Sequence, residues 1–269
     1  MEFRTIVDIA KPEFRIEPCE ELLFVGSCFA DSIGQRFREE GFPVTVNPYG
    51  TMYNPASVLH TIEKYEGKPR TAFITLGTNH VYRLKETGEI VDNCEKRPQA
   101  LFQEEELSVD ACVDYLRQAI AVLRKRRPDV RVVMTVSPIR YRKYGYHESQ
   151  VSKATLLLAI EKVLPSDGIA GHCTYFPAYE IVMDELRDYR FYAADMLHPS
   201  AQAVEYIWER LVETYFSPEA KAFLDEWRPL KQALGHKPFN PDSEEYRALM
   251  DKTMLKVAEL RKKYSTFAL

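Results

Sequence analysis

The stretch Leu22-Leu23-Phe24-Val25-Gly26-Ser27-Cys28-Phe29-Ala30-Asp31-Ser32-Ile33-Gly34 changes period at its middle. Its first five residues form a β-rich apolar run closed by glycine, as a strand covered on both faces requires. After Cys28, Ile33 and Phe37 stand at helical spacing, so a helix follows the strand at once. Cys28 therefore sits at a strand-to-helix turn. In a parallel sheet, ligands gather beyond the carboxyl ends of the strands, and a helix start favours a thiolate. A nucleophile is physically reasonable there. The competing reading of the same residues is that Ser27 caps the helix and Cys28 packs beneath it.

Working outward, further strands are expected at Phe42 to Val46, Ala72 to Gly77, Val130 to Ser137 and, more weakly, Thr174 to Phe176. Between them, Leu107, Ala111, Tyr115, Leu116, Ala119, Ile120 and Leu123 recur at helical spacing, and a second helix spans Ser152 through Val163. A third amphipathic stripe from Ala203 to Tyr215 begins just after Pro199. This alternation predicts an α/β fold, a three-layer α/β/α sandwich about a parallel, flavodoxin-like sheet. Residues 1–216 form that core. Within it, Val81 to Leu84 and Glu89 to Val91 flank Glu86-Thr87-Gly88, the pattern of a hairpin insertion over residues 80–106. The acidic run Glu104-Glu105-Glu106 and the basic run Arg124 to Arg127 read as solvated helix ends. Residues 217–269 read as a C-terminal helical extension, with Asp242-Ser243-Glu244-Glu245 capping its last helix; it either braces the core or covers the site.

The 269 residues are 45% hydrophobic, enough for a large core. With 36 Lys+Arg against 40 Asp+Glu, the net charge of -4 supplies no basic field for nucleic acid or an anionic membrane. No apolar run approaches the ~20 residues of a membrane span, and the opening residues lack a secretory apolar region. A cytoplasmic protein is expected. Cys19, Cys28, Cys94, Cys112 and Cys173 are too scattered for a disulfide framework or a zinc site, so no metal is expected.

Late in the core, Asp195-Met196-Leu197-His198-Pro199 places a carboxylate three residues before an imidazole. That spacing lets Asp195 hold one ring nitrogen of His198 while the other faces a nucleophile. Gly26-Ser27-Cys28-Phe29-Ala30 resembles the signature of the GSCFA-domain family, within the SGNH/GDSL-type hydrolases, and Asp195 to His198 resembles the Asp-x-x-His block of that superfamily. The resemblance implies an esterase with Cys28 as nucleophile, Ser27 as the alternative, His198 as general base and Asp195 as its orienter. Beside the Cys28 backbone N–H, it also implies two oxyanion donors: Gly50, in Asn47-Pro48-Tyr49-Gly50, and Asn79, at the end of Gly77-Thr78-Asn79. Taken alone, Gly50 reads equally as a turn glycine and Asn79 as a turn residue.

Close relatives are expected to carry histidine where this chain has Glu95 and Tyr141, and Asn93 competes with Asn79 as donor. Arg140 and Tyr141, just beyond the fourth strand, are candidates for lining the pocket; Arg190 and Tyr192 are weaker ones. The implied reaction is acyl transfer without metal or organic cofactor, on a small-molecule or carbohydrate O-acyl ester. An acyltransferase using the same site is one alternative, and a binding module whose chemistry has decayed is another. Oligomeric state is not encoded in these motifs.

Overall fold

A computed structural model describes residues 3–92, 94, 97–166 and 168–269. Five strands, β1 (Leu22–Gly26), β2 (Val44–Val46), β3 (Thr71–Leu76), β7 (Arg131–Val136) and β8 (Cys173–Tyr175), form one sheet in the order β2-β1-β3-β7-β8. Every pairing is parallel. This is the flavodoxin-like order, and its direction reverses between β1 and β3, where the crevice beyond the strand ends opens.

Alternate side chains of each strand divide between two cores, as the period of two demands. Leu22, Phe24, Phe73 and Val133 join one cluster with α1 (Cys28–Glu39), α6 (Ala201–Tyr215), α7 (Pro218–Gly235) and α8 (Glu244–Lys263). Leu23, Val25, Ala72, Ile74, Val132 and Met134 join the other with α2 (Pro55–Lys64), α3 (Val109–Arg126) and α4 (Gly145–Val163). The result is the three-layer sandwich that the strand and helix alternation predicts. Between β8 and α6 a short helix, α5 (Ala178–Glu180), continues into a π-helical turn, Ile181–Leu186.

The expected hairpin forms from β4 (His80–Leu84) and β5 (Ile90–Val91), but it carries a third strand, β6 (Phe102–Glu106), on the other side of β4. The acidic run is therefore a strand edge and not a helix end: Phe102 turns inward while Glu104 and Glu106 face solvent. The basic run does end a helix, and Arg126 at its close donates to the carbonyls of Ile62 and Glu63 near the end of α2. α4 begins at Gly145, seven residues before its apolar stripe, because its first turns are polar.

α7 and α8 pack on the far end of α1 from Cys28. The Trp227 indole N–H donates to Glu39 O at 3.1 Å, Phe267 packs at Gly41, and Ala268 N donates to Gly41 O at 2.9 Å. In these contacts the extension braces the amino-terminal edge of the sheet. Among the described residues, no helix is long and apolar enough to cross a membrane, and no cluster of three potential ligands is placed to hold a metal ion.

Candidate active site

The turn after β1 is built around a glycine that nothing can replace. Gly26 has φ +145°, and a Cβ there would meet Thr75 O at 2.0 Å. Around it, Gly26 N donates to Asn47 Oδ1 at 2.9 Å, Ser27 N to Thr75 O at 2.9 Å, and Met52 N to Gly26 O at 2.8 Å. Asn47 also donates through Nδ2 to Asp31 Oδ1 at 2.9 Å, tying the β2 end to the first turn of α1.

Ser27 and Cys28 take different parts. The Ser27 side chain is buried, accepts from Phe29 N at 3.3 Å, and pairs with Thr75 Oγ1 at 3.2 Å. It is a helix cap facing the sheet. Cys28 is half-buried at the first position of α1, and its Sγ lies 3.4 Å from the Tyr53 hydroxyl. Its backbone N–H is one of those that a helix start leaves without an internal acceptor.

Asp195 and His198 form the expected couple. Asp195 Oδ2 is 2.6 Å from His198 Nδ1, while Oδ1 accepts from the backbone N–H groups of Leu197 and His198 at 2.9 and 3.0 Å. These N–H groups, ahead of the imidazole, hold the Asp195 carboxyl down at about 2. Both side chains are more than 40% exposed, so the second ring nitrogen is open to a reactant. Among the described residues no hydrogen bond joins the imidazole to the Cys28 sulfur.

The fold brings the two to one edge. α1 and α6 both run from the carboxyl edge of the sheet to its amino edge, where Phe37, Phe42 and Phe216 pack together. Arg36 of α1 donates to Glu205 of α6 at 3.0 Å, and Phe37 meets Trp208 edge-on at 4.8 Å. Cys28 stands eight residues before Arg36 and His198 seven before Glu205. Cys28 opens α1 and His198 lies in the loop three residues before α6, so both stand near the starts of two helices that pack together.

Arg140 holds the histidine loop rather than lining a pocket. Its backbone N–H donates to Leu197 O at 3.0 Å and its guanidinium to Met196 O at 3.2 Å, while the same group lies over the rings of Tyr146 and Tyr192. Tyr192 pairs with Pro199 across the loop, and Arg190 lies over Phe191, so both are packed loop residues. Tyr141 does line a cleft of about 450 Å³, together with Tyr53, His80, Tyr82 and Tyr144. The cleft lies between the hairpin sheet and the segment after β7, with His80 stacked on Tyr144 at 3.9 Å and the Tyr82 and Tyr144 hydroxyls 3.2 Å apart. Burial lowers the His80 pKa and raises that of Tyr141. Three larger grooves, about 930, 900 and 740 Å³, contain none of these residues.

The two donors suggested by the motifs are otherwise engaged. Gly50 has φ +97°, is exposed, and donates its N–H to Asn47 O at 2.9 Å, which makes it a turn glycine. Asn79 is buried, and its Nδ2 donates to Leu107 O at 2.8 Å while its backbone N–H donates to Ser152 Oγ at 2.9 Å. With Leu107 N also donating to Asn79 O at 3.0 Å, it fastens the start of β4 to the segment before α3. Asn93, the competing donor, lies outside the described residues, as does Glu95.

Two residues were given no role by the sequence, although Ser152-Lys153-Ala154 lies within the stretch that resembles the family. Tyr53 follows the Gly50 turn, and its carbonyl accepts from Gly77 N at 2.8 Å and Thr78 N at 2.9 Å. Lys153, on α4, is completely buried without a carboxylate; Nζ donates to Gly77 O and Ser137 O, each at 2.7 Å, spanning the ends of β3 and β7. Burial brings its pKa down to about 7.

No curated protein matches the sequence. Similar solved structures include a GDSL-like protein from Parabacteroides merdae (11% identity, 76% of this chain and 98% of that one, TM-score 0.48). Others are a family 3 carbohydrate esterase from Talaromyces cellulolyticus (10%, 77% and 99%, TM-score 0.43) and an acetyl xylan esterase from the rumen bacterium Butyrivibrio proteoclasticus (10%, 74% and 64%, TM-score 0.45). The family model described as GSCFA family matches residues 21–73 and 67–211, and that described as GSCFA domain protein, C-terminal domain, matches 227–269. These segments run from β1 through most of α6 and take in α8 with the end of α7, and the chain belongs to the GSCFA family.

Proposed function

We propose that this protein is an ester hydrolase that works through an acyl-cysteine intermediate on Cys28. The observation that carries the reading is that a half-buried thiol opens α1 and an Asp195-oriented imidazole stands just before α6, two helices that Arg36 and Glu205 tie together. The sulfur attacks the ester carbonyl while its proton passes to His198. The tetrahedral intermediate then collapses, the C–O bond to the alcohol breaks, and His198 returns that proton to the departing alkoxide. Water attacks the thioester, gives a proton to His198 and releases the acid, and the proton goes back to the sulfur. Asp195 keeps the ring in the tautomer with Nδ1 protonated, which leaves Nε2 as the base.

Ser27 is the weaker nucleophile in this reading because its hydroxyl is committed to the cap and to Thr75. The substrate class proposed is a small O-acyl ester, with a sugar as the alcohol. Faces of Tyr53, Tyr82, Tyr141 and Tyr144 in the cleft suit the apolar face of a pyranose, and a volume of about 450 Å³ is in the range of small-ligand sites. No step needs a metal or an organic cofactor.

The test is mass spectrometry of the intact protein after mixing with 4-nitrophenyl acetate. One acetyl group on the peptide containing Cys28, absent in Cys28→Ala and accumulating in His198→Ala or forming slowly there, is the expected result. Acetylation of Ser27, or of neither residue, rejects the assignment.

A further inference from the structure

Of the two groups that the motifs nominate for the oxyanion hole, the Gly50 N–H closes a turn and the Asn79 amide is buried with Nδ2 donating to Leu107 O. Acyl transfer still needs donors aimed at the oxygen that becomes negative, about 2.7–3.1 Å from where it will sit. We infer that the Tyr53 hydroxyl, acting with the Cys28 backbone N–H, supplies them. The inference rests on the acyl-cysteine reading and adds a residue that neither the sequence motif nor the family resemblance identifies.

Position is the first argument. The oxyanion forms one bond beyond the carbon that the sulfur attacks, so a donor able to reach it stands roughly 3–5 Å from the sulfur. The Tyr53 oxygen is at 3.4 Å. Rigidity is the second. The Tyr53 carbonyl is gripped by the N–H groups of Gly77 and Thr78, and the Gly77 carbonyl is in turn held by the buried Lys153 ammonium. Its ring lies 6.0 Å from that of Tyr141, on the wall of the cleft through which a substrate approaches. A donor fixed in this way loses little by reorganising during reaction. Burial and the neighbouring sulfur both raise the phenol's pKa, so it keeps its proton to donate.

As the C–S bond forms, the carbonyl π pair moves onto oxygen, which accepts hydrogen bonds from the Tyr53 O–H and the Cys28 N–H. No proton leaves Tyr53. On collapse the pair returns to the carbonyl, the bond to the alcohol breaks, and His198 protonates the leaving oxygen. Lys153 is a positioning residue in this scheme, reaching the reacting atoms only through the Gly77 turn.

The test compares Tyr53→Phe with wild type in two reactions of the same sulfur. Turnover of 4-nitrophenyl acetate passes through an oxyanion; alkylation by iodoacetamide does not. The variant is expected to lose about a hundredfold in kcat with KM within threefold, while its alkylation rate stays within twofold of wild type. An equal fall in both rates overturns the inference, because Tyr53 then tunes the sulfur. An unchanged kcat overturns it as well. Wild type that hydrolyses the ester without acylating Cys28 rejects the underlying reading, a result distinct from loss of the Tyr53 role alone. The ring and its main-chain grip survive in Tyr53→Phe, and an unfolding midpoint within a few degrees of wild type confirms that the comparison is made on folded protein.

Discussion

At the scale of single residues, neighbours in sequence take unlike parts because one faces the sheet and the next faces the crevice. Ser27→Ala removes a cap and is expected to cost about 1 kcal/mol in urea unfolding, with ester turnover retained. Cys28→Ala should leave stability within about 1 kcal/mol and abolish turnover. Asp195→Asn preserves shape but no longer secures the Nδ1–H tautomer, and a loss of about 10²- to 10⁴-fold in kcat is expected without a change in unfolding midpoint. Lys153 gives a pH signature. Its folded pKa of about 7 lies below the ~10.4 of an unfolded lysine, so between those values the unfolded chain binds more protons and stability rises with pH. Relative to Lys153→Met, wild type should gain at most about 1.4 kcal/mol per pH unit from pH 7 to 9; parallel stability curves would contradict this. The Asp195–His198 couple was legible because its hydrogen bond comes with a spacing, whereas Cys28 was singled out by its place at the strand-to-helix turn together with the family resemblance. Tyr53 and Lys153 were not: one is among 16 tyrosines, and the other is a lysine in a helix, which by type belongs in solvent.

Elements were legible where burial imposes a period. β1, β3 and β7 are covered on both faces and read as apolar runs, and α6 shows its stripe. β6 did not, since Gln103, Glu104, Glu105 and Glu106 leave it a single buried residue, and its pairing with β4 depends on partners remote in sequence. α2 was also missed, although Asn54 and Pro55 form a cap and first turn, because its ten residues lie between two loops rather than beside a strong strand signal. The junction of β1 and α1 depends on one backbone conformation. Gly26→Ala combines an unfavourable φ with a clash against Thr75, and a loss of about 3 kcal/mol or more is expected in urea unfolding, with turnover falling in the folded fraction as well.

For the whole molecule, the C-terminal helices and the chemistry occupy opposite ends of α1. Trp227 is buried against Phe267 at the end remote from Cys28. Trp227→Ala should therefore destabilise the protein by about 3–5 kcal/mol, read as a lowered denaturation midpoint, while kcat below that midpoint remains within twofold. A large change in kcat would mean that the extension reaches the site. Its helical character was legible from Ser243-Glu244-Glu245, but its seat was not, because contacts such as Thr266 to the Cys19 carbonyl join distant parts of the chain.

The Arg36–Glu205 contact joins residues 169 apart in sequence, and the proposed nucleophile and base stand at or just before the starts of the two helices it ties. On a ribosome, the first of these helices emerges long before the second. If the proposed reaction holds, a nascent chain carries an unarmed thiol through most of its synthesis, and hydrolytic competence arrives only when the final core helix docks, after every strand of the sheet has been made.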